Sequence, residues 1–245
     1  MASYASITRE TTEPLKALAH RRRFAQAARI VDAKPTDVVL DYGCADGHFF
    51  TQLPQIPLSQ LVGFDPNPAL LAQMAPELKS AIKVYGDRET LVSENTGRFS
   101  LIICIEVCEH LTPAALEVLL QSIRELAAPA ARIVFGVPIE TGTSGFAKSL
   151  YRVSKGGRQG ATLAKAFKAL VGADIERQAT DVEWYGHHTG FDDERFARLL
   201  GDSGFTIGSR AYLPFPMLRR LLNNEAYYVC RLKEVDAPEK SRHTS

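Results

Sequence analysis

A short run of small and acidic residues follows the first strongly apolar stretch of the chain. It reads D-Y-G-C-A-D-G from Asp41 to Gly47. Small residues at alternate positions let the backbone turn sharply and approach a ligand closely. The carboxylates disfavour a pyrophosphate and favour a ligand with an ammonium or sulfonium cation. We therefore predict that Asp41, Gly43, Ala45 and Gly47 contact a bound cofactor.

Further acidic residues stand where later apolar runs end. Asp65 and Pro66 follow the second run, at a spacing from Gly43 that suits a carboxylate accepting both hydroxyls of a ribose. Asp87 follows the third run and is a candidate acceptor for the amino group of an adenine, and Glu106 follows the fourth. Because ligands of open parallel sheets bind at the carboxyl ends of the strands, we expect all four residues at one cofactor crevice.

Glu106, Glu109 and His110 form the pattern E-x-x-E-H. At a strand end that leads into a helix, this spacing can bring two carboxylates and an imidazole together, a donor set that suits a divalent metal. The same letters also occur in proteins without a metal. We expect a metal-free site, and we predict these three residues as the ligands if an ion is bound.

Two adjacent histidines, His187 and His188, lie in the aromatic and glycine-bearing stretch W-Y-G-H-H-T-G-F of residues 184–191. An imidazole with a pKa near neutrality can deprotonate a hydroxyl or a phenol. Neighbouring side chains of an extended chain point to opposite sides, so both cannot face one site. We predict His188, and His187 second, as the catalytic base; the alternative is that both only cap the next helix or bind loop backbone.

The elements that must position these residues follow from the apolar pattern. Apolar, β-rich runs occupy residues 38–40, 61–64, 82–85, 101–105 and 133–137, and stretches with helical spacing lie between them. Continuous apolar runs are typical of strands that helices bury on both faces. Strand and helix alternation indicates an α/β fold with a parallel, doubly wound sheet. A helix at 192–203, with Asp192 as N-cap and Gly204 as its stop, precedes two final strands.

The rest of the chain adds three segments to one predicted domain of residues 1–233. A helix over residues 14–30 should cover the edge or the mouth of the structure that follows it, and the polar residues 234–245 should form a disordered tail. A helical insertion spans about 141–183, with cations and no carboxylate between 141 and 173. We expect this basic segment to contact an anionic acceptor or a membrane surface, and the alternative is a solvated face. Its cations are Lys148, Arg152, Lys155, Arg158, Lys165 and Lys168.

Composition excludes several classes of protein. The chain has 245 residues, of which 45% are hydrophobic and 23% charged, as in ordinary globular proteins. Its formal net charge of +1 makes nucleic-acid binding unexpected, because such proteins concentrate positive charge. Neither a signal-peptide pattern in the first residues nor an apolar run long enough for a membrane helix is present, so we expect a cytoplasmic protein.

In chain order, the motifs D-x-G-x-A-x-G, G-F-D-P-N, G-D and I-E-V-C-E-H-L resemble the class I S-adenosylmethionine-dependent methyltransferases, especially those of ubiquinone biosynthesis and of small molecules. The resemblance covers about residues 36–232, with Ala45 in place of the usual middle glycine. It implies a Rossmann-like sheet of seven strands, mostly parallel with an antiparallel last strand, and S-adenosylmethionine as cofactor. Asp41 and Gly43 would hold its methionine end, Asp65 its ribose and Asp87 its adenine.

The resemblance leaves three functional hypotheses. The leading one is O-methylation of a small molecule, a sugar or a lipid-linked acceptor, with N-methylation still open. The second is a metal-dependent RNA 2′-O-methyltransferase; such enzymes share the E-x-x-E-H pattern and add a histidine that His187 or His188 would match. The third is a non-catalytic scaffold. We favour an enzyme because Asp41, Asp65 and Asp87 are all present, whereas a decayed site would be free to lose them.

Overall fold

The apolar runs of the sequence form the strands of one sheet. The computed structural model describes residues 14–156, 160–177, 179–180, 184–221 and 223–233, with side chains from residue 23 onward. Helix α1 (Pro14–Val31) precedes the sheet, whose strand order is β3-β2-β1-β4-β5-β7-β6. The strands are β1 (Val39–Tyr42), β2 (Leu61–Phe64), β3 (Lys83–Tyr85), β4 (Phe99–Ile105), β5 (Ala127–Pro138), β6 (Phe205–Leu213) and β7 (Glu225–Leu232).

The directions of the strands match the predicted fold class. Strands β1 to β5 pair in parallel, and β7 runs antiparallel to both β5 and β6. The prediction of a seven-stranded, doubly wound, mostly parallel sheet with an antiparallel last strand is therefore confirmed. Strand order reverses beside β1, which has β2 on one side and β4 on the other. A ligand crevice is expected where these strands end.

Helices cover both faces of the sheet. After α1, the helices in chain order are α2 (Pro68–Leu71), α3 (Pro76–Ala81), α4 (Arg88–Asn95), α5 (Pro113–Leu126), α6 (Gly142–Ser154), α7 (Leu163–Val171) and α8 (Asp193–Asp202). Short 3-10 helices span His48–Gln52, Leu58–Gln60, Cys108–His110 and Pro216–Leu218. None of the helices in the described ranges combines the length and hydropathy that a membrane crossing requires.

Successive residues of the central strands enter two different cores. Leu40 and Ile102 belong to the core that also contains the apolar side of α5, whereas Val39 and Ile103 belong to the core beneath α1. Because side chains alternate across a strand, a strand covered on both faces must be apolar at every position. This is the physical reason for the uninterrupted apolar runs of the sequence.

The predicted helix after the insertion is present with its predicted cap. The Asp192 carboxylate accepts hydrogen bonds from the backbone N–H groups of Glu194 and Arg195 at 2.9 and 3.1 Å. These two N–H groups have no partner within the helix, so the cap satisfies them. The chain leaves α8 through Gly204, which has a φ of +87°. A left-handed residue at this position suits glycine.

The basic insertion holds α6 and α7, which pack against each other. Two of its cations pair with a buried carboxylate: Arg152 Nη1 and Lys148 Nζ lie 2.6 and 3.2 Å from the carboxylate of Glu140, just before α6. Burial raises the pKa of Glu140 and the two cations lower it, and the cations prevail. Their partner lies just before the counted segment, which argues against the alternative of a solvated face for Lys148 and Arg152. The expected contact of the segment with an anionic acceptor or a membrane stays a prediction. Arg158 and the tail of residues 234–245 lie outside the described residues.

Candidate active site

A crevice opens at the carboxyl ends of β1, β2 and β4, where the topology predicts a ligand. Its volume is about 1150 Å³, somewhat above the range of about 300 to 1,000 Å³ that is typical for a single ligand. The cavity therefore has room for a cofactor and an acceptor together. Its lining includes Asp41, Gly43, Ala45, Asp65, Pro66 and Glu106, all predicted as cofactor contacts.

The loop after β1 has the backbone conformations that its small residues allow. Gly43 has a φ of +95°, and Ala45 has a φ of +47°. A Cβ atom added at Gly43 would lie 2.3 Å from Cγ2 of Val107, so no larger residue fits without movement. Gly47 has a φ of +75° and lies outside the crevice lining; a Cβ there would meet Leu78. Its predicted cofactor contact remains a prediction, and packing already explains the glycine.

Asp65 ties the loop after β1 to the end of β2. Its Oδ2 accepts a hydrogen bond from the backbone N–H of Ala45, and its Oδ1 accepts one from that of Asn67, both at 2.9 Å. Burial raises the pKa of Asp65, and the two backbone donors partly offset this. A carboxylate oxygen has two lone pairs, so each oxygen can accept one more hydrogen bond. This leaves Asp65 able to accept further hydrogen bonds, and its predicted contact with two ribose hydroxyls remains a prediction.

Asp41 is a buried carboxyl group at the bottom of the crevice. Its side chain is almost inaccessible, and its burial, followed by the charge of Asp65, raises its pKa to about 7. A cationic group bound beside it would favour the ionised form. This half of the crevice therefore complements a ligand that carries positive charge.

Asp87 is placed differently from its neighbours. Its Oδ2 accepts hydrogen bonds from the backbone N–H and the hydroxyl of Thr90, both at 2.7 Å, and so caps α4. The side chain is exposed and is not part of the crevice lining, which includes Arg88 instead. Its predicted contact with an adenine amino group remains a prediction.

Glu106 lines the crevice but is held by α1. Its Oε1 lies 2.8 Å from Nη2 of Arg23, and Nε of the same guanidinium contacts Glu225, which also accepts a hydrogen bond from the Tyr227 hydroxyl at 2.7 Å. Glu106 has a φ of +58°, a conformation that costs free energy for a residue other than glycine and tends to occur at functional sites. The predicted mouth-covering helix thus reaches the crevice through Arg23, which sequence reasoning missed.

A cluster of Glu109, His110 and His188 lies at the edge of the crevice. Nε2 of His188 is 3.1 Å from Nε2 of His110, and each of these nitrogens is 3.9 Å from Oε1 of Glu109. The three side chains form the group that could hold a metal ion within the described ranges. The predicted ligand set is therefore corrected: His188 takes the place of Glu106, because Glu106 is paired with Arg23.

The environment of the cluster fixes the ring of His110. Its Nδ1 lies 2.7 Å from the carbonyl oxygen of Tyr185, and the ring stacks on Trp184 with centroids 4.4 Å apart. Donation from Nδ1 to that carbonyl leaves the lone pair of Nε2 facing Glu109 and His188. Glu109 is fully buried, and neither carboxylate oxygen has a hydrogen-bond partner in the described part of the chain. Burial first, and then the charge of Glu106, raises the pKa of Glu109.

The two adjacent histidines occupy different environments. His188 lines the crevice, and burial lowers its pKa, with a smaller opposing effect of Glu106. A neutral imidazole in this place can accept a proton. His187 does not line the crevice, and its carbonyl oxygen accepts a hydrogen bond from Arg177 Nη2 at 2.9 Å. The preference for His188 over His187 thus agrees with the geometry, and the catalytic roles of both remain predictions.

A backbone bridge joins the two chain segments that supply the cluster. Leu111 and Trp184 form an antiparallel bridge, and the N–H of Tyr185 donates to the carbonyl oxygen of His110 at 2.6 Å. Sequence reasoning missed Trp184 as a lining residue, although its position in the stretch W-Y-G-H-H was a usable signal. The pairing partner could not be identified without the fold.

Solved structures share the fold at low sequence identity. The 1,6-didemethyltoxoflavin-N1-methyltransferase of Burkholderia thailandensis, solved with S-adenosylhomocysteine, is 18% identical, with a TM-score of 0.54 and coverage of 87% of this chain and 78% of that one. The magnesium protoporphyrin IX methyltransferase of Synechocystis PCC 6803, solved with bound SAH, is 13% identical, with a TM-score of 0.57 and coverage of 91% of this chain and 89% of that one. The N-methyltransferase NodS of Bradyrhizobium japonicum WM9, solved with S-adenosylhomocysteine, is 15% identical, with a TM-score of 0.54 and coverage of 91% of this chain and 90% of that one.

Sequence comparison identifies the family. A search of curated proteins finds no match. Residues 13–209, which include strands β1 to β5 and the Glu109–His110–His188 cluster, match the family described as a methyltransferase domain. This span exceeds half of the chain and confirms the resemblance stated from the motifs. The protein belongs to the methyltransferase-domain family.

Proposed function

We propose that the chain transfers a methyl group from S-adenosylmethionine to an oxygen atom of a small-molecule acceptor. One observation carries the proposal: a single crevice joins an acidic, glycine-lined half at the ends of β1 and β2 to a half that contains His188. The first half suits a cationic cofactor, and the second half supplies a neutral base. The members of the fold named above were solved with S-adenosylhomocysteine, which supports this choice of cofactor.

The cofactor half assigns a role to each contact. Asp65 would accept the two ribose hydroxyls with the lone pairs that its backbone donors leave free. Asp41 and the close backbone at Gly43 would bind the methionine end, where the ammonium relieves the cost of a buried carboxylate. Ala45 and Pro66 complete the wall. The sulfonium then lies in a crevice with acidic residues, which complements its charge.

The acceptor half assigns the chemistry. The acceptor oxygen forms a bond to the methyl carbon while the bond from that carbon to sulfur breaks, and the proton of the hydroxyl passes to His188. Because the sulfonium is already a good leaving group, alignment of the two reactants and exclusion of water are the main tasks of the protein. Burial keeps His188 neutral and therefore able to accept the proton. Trp184 and Tyr227 contribute apolar surface that can position an aromatic or aliphatic acceptor.

Transfer of label from S-adenosylmethionine to a panel of phenols, sugars and lipid-linked hydroxyl compounds tests the proposal. His188→Asn should lower kcat by about 10² to 10⁴ while affinity for the cofactor is retained. The matched control is His187→Asn, which removes the adjacent imidazole and should stay near the parent. Equal losses in the two variants would overturn the role of His188. Tight cofactor binding without transfer to any acceptor would favour the scaffold hypothesis.

A second candidate is a metal-assisted form of the same reaction, and a specific observation favours it. Three donors converge: a buried carboxylate without a hydrogen-bond partner in the described ranges and two imidazole nitrogens. Glu109 Oε1, His110 Nε2 and His188 Nε2 lie 3.1 to 3.9 Å from one another, so these three residues would hold a single divalent ion such as zinc. A divalent ion there would lower the pKa of an acceptor hydroxyl and neutralise its charge. The residues present fit such an ion.

Chelation separates the two candidates. In the metal-assisted form, a chelator abolishes transfer, added magnesium, manganese or cobalt restores it, and Glu109→Gln prevents the restoration. Elemental analysis of the purified protein, before and after chelation, gives a readout that does not depend on activity. Transfer that survives chelation leaves His188 as the base. A metal-dependent RNA 2′-O-methyltransferase would in addition label RNA, and transfer to small molecules alone would exclude it.

A further inference from the structure

Helix α7 carries its large apolar side chains on the outside. Its buried positions are the small residues Ala166 and Ala169, whereas Leu163, Phe167 and Val171 are exposed, Phe167 to 61% and Val171 to 75%. A surface helix of a globular protein normally shows the opposite arrangement, with the large apolar side chains toward the core. Of the exposed side chains of α7, Phe167 contacts the ring of Phe146 on α6, with centroids 5.8 Å apart, and it still remains mostly exposed.

Neighbouring elements extend this apolar exposure. On α6, Leu150 and Tyr151 are exposed, and in the loop after β6, Met217 is exposed to 96%. The loop is fixed to the start of α6, because the hydroxyls of Thr143 and Ser144 donate to the carbonyl oxygens of Leu221 and Arg220 at 2.8 and 3.1 Å, respectively. We call the exposed side chains of α6 and α7 the α6–α7 surface. Several exposed apolar side chains on two helices that pack together are typical of an interaction site.

Within residues 141–173 the charged side chains have one sign, although the carboxylate of Asp192 lies near Gly172 at the end of α7. No carboxylate occurs between residues 141 and 173. Lys148 and Arg152 form ion pairs with the buried carboxylate of Glu140. Lys155, Lys165 and Lys168 form no ion pair within the described ranges, and Nζ of Lys155 lies over the ring of exposed Tyr151, 5.7 Å from its centroid. The α6–α7 surface thus combines apolar side chains with cations that remain available.

We propose that the α6–α7 surface docks on an anionic phospholipid bilayer. Phe167, Val171 and Leu163 would enter the boundary between headgroups and acyl chains, and the lysines would remain among the anionic headgroups, as in interfacial helices. We choose an anionic bilayer as the partner because its headgroups complement the positive charge of these lysines. A second copy of the chain, related by two-fold symmetry, would bring the same cations face to face, which disfavours the pairing.

The surface is connected to the acceptor half of the crevice. Arg152 Nη1 contacts the hydroxyl of Thr189 at 3.4 Å, next to His188, and the same guanidinium binds Glu140 at the end of β5. A bilayer beneath α6 and α7 would therefore lie close in structure to the segment that forms the crevice edge. This inference goes beyond the proposed function, because methyl transfer to a water-soluble acceptor needs no bilayer.

Co-sedimentation of the full chain with lipid vesicles tests the inference. We expect the protein to sediment with vesicles of phosphatidylcholine that contain about one third phosphatidylglycerol, and to stay in solution with phosphatidylcholine alone. Raising the salt to about 0.5 M should weaken binding, because it screens the attraction between lysines and headgroups. Absence of binding to the anionic vesicles at low salt would overturn the proposal.

Paired variants and matched controls identify the surface. Phe167→Gln with Val171→Gln should lower the vesicle partition coefficient by about tenfold or more, because two apolar contacts are lost. Leu58→Gln, an exposed apolar residue on a distant 3-10 helix, should change it less than about twofold. Equal effects of the two changes would contradict the assignment.

The charge variants follow the same design. Lys155→Gln with Lys168→Gln should lower binding about 30-fold, at about fivefold for each cation, whereas Lys79→Gln should have little effect. Cofactor affinity and Tm, measured on every variant, should stay at the parent values, which separates loss of docking from loss of folding. A stable dimer in solution that Phe167→Gln dissociates would assign the surface to a second copy and overturn the bilayer proposal.

Discussion

We expect the buried carboxyl of Asp41 to lower the free energy of unfolding of the cofactor-free protein and to strengthen cofactor binding. Its pKa is raised from 3.8 to about 7 because burial, followed by the nearby charge of Asp65, disfavours ionisation. A folded-state pKa above the unfolded value means that the folded state binds the proton more tightly. The contribution of this group to stability is then fully present below pH 3.8, declines as the pH rises, and is lost above about pH 7.

The size of the effect follows from the shift. At 1.36 kcal/mol per pKa unit, moving from 3.8 to about 7 corresponds to at most about 4 kcal/mol, and relaxation of the site reduces this to about 2 to 4 kcal/mol. Asp41→Asn has no proton to lose. We therefore expect the variant to be more stable than the parent by about that amount at pH 8, with little difference near pH 4. The same variant should bind S-adenosylmethionine about 1.5 to 3 kcal/mol more weakly, because an ammonium loses its carboxylate.

Urea unfolding of the apo protein from pH 4 to pH 8 measures the first effect, and calorimetry measures the second. Asp202→Asn, on an exposed residue of α8, is the matched control and should show neither effect. Asp65→Asn should reduce the gain at Asp41, since it removes the second cause of the raised pKa. A gain in stability that is the same at pH 4 and pH 8, or a loss at pH 8, would refute the reasoning.

Three further perturbations test single contacts. Asp65→Ala should weaken binding of S-adenosylmethionine by about 1.5 to 3 kcal/mol in calorimetry, and unchanged affinity would remove Asp65 from the ribose site. Arg152→Gln should lower the free energy of unfolding in urea by about 2 to 4 kcal/mol, because the buried Glu140 carboxylate loses a partner. Adding Glu140→Gln to this variant should recover part of the loss. Equal stability of Arg152→Gln and the parent would contradict the role of this ion pair. Gly43→Ala should abolish measurable cofactor binding and lower Tm. Adding Val107→Ala removes the clash with the new Cβ but should restore only part of the stability, because the φ of +95° at residue 43 stays unfavourable for alanine. Full restoration would show that the clash with Val107 is the only cause of the loss.

The local sequence pattern was enough to predict the features that depend on a single segment of the chain, such as strands and helix caps. The continuous apolar runs predicted the strands, because a strand buried on both faces has no polar position to offer. Asp192 was predicted as a helix cap from its type and place, and its carboxylate makes the expected bonds. Asp65 was placed at a strand end by its spacing from Gly43, and the structure adds why it is rigid there.

Contacts between distant segments could not be predicted in this way. His110 and His188 are 78 residues apart, and they are brought together by the bridge between Leu111 and Trp184 and by the hydrogen bonds between His110 and Tyr185. The same limit applies to Glu106, whose partner Arg23 lies on the first helix. At Asp87 the difficulty is local: a carboxylate after a strand can face a ligand or cap the next helix, and the letters do not distinguish the two.

The insertion between β5 and the crevice is anchored at both ends. It leaves the sheet beside Ile139, whose N–H donates to the carbonyl oxygen of Asn224 at 2.8 Å, and it returns at the bridge between Leu111 and Trp184. Neither anchor involves Asp65 or a residue of the loop after β1. We therefore expect chimeras joined at these two points to keep the geometry of the cofactor-binding strands. Transfer of labelled methyl groups by such chimeras would test whether this segment selects the acceptor.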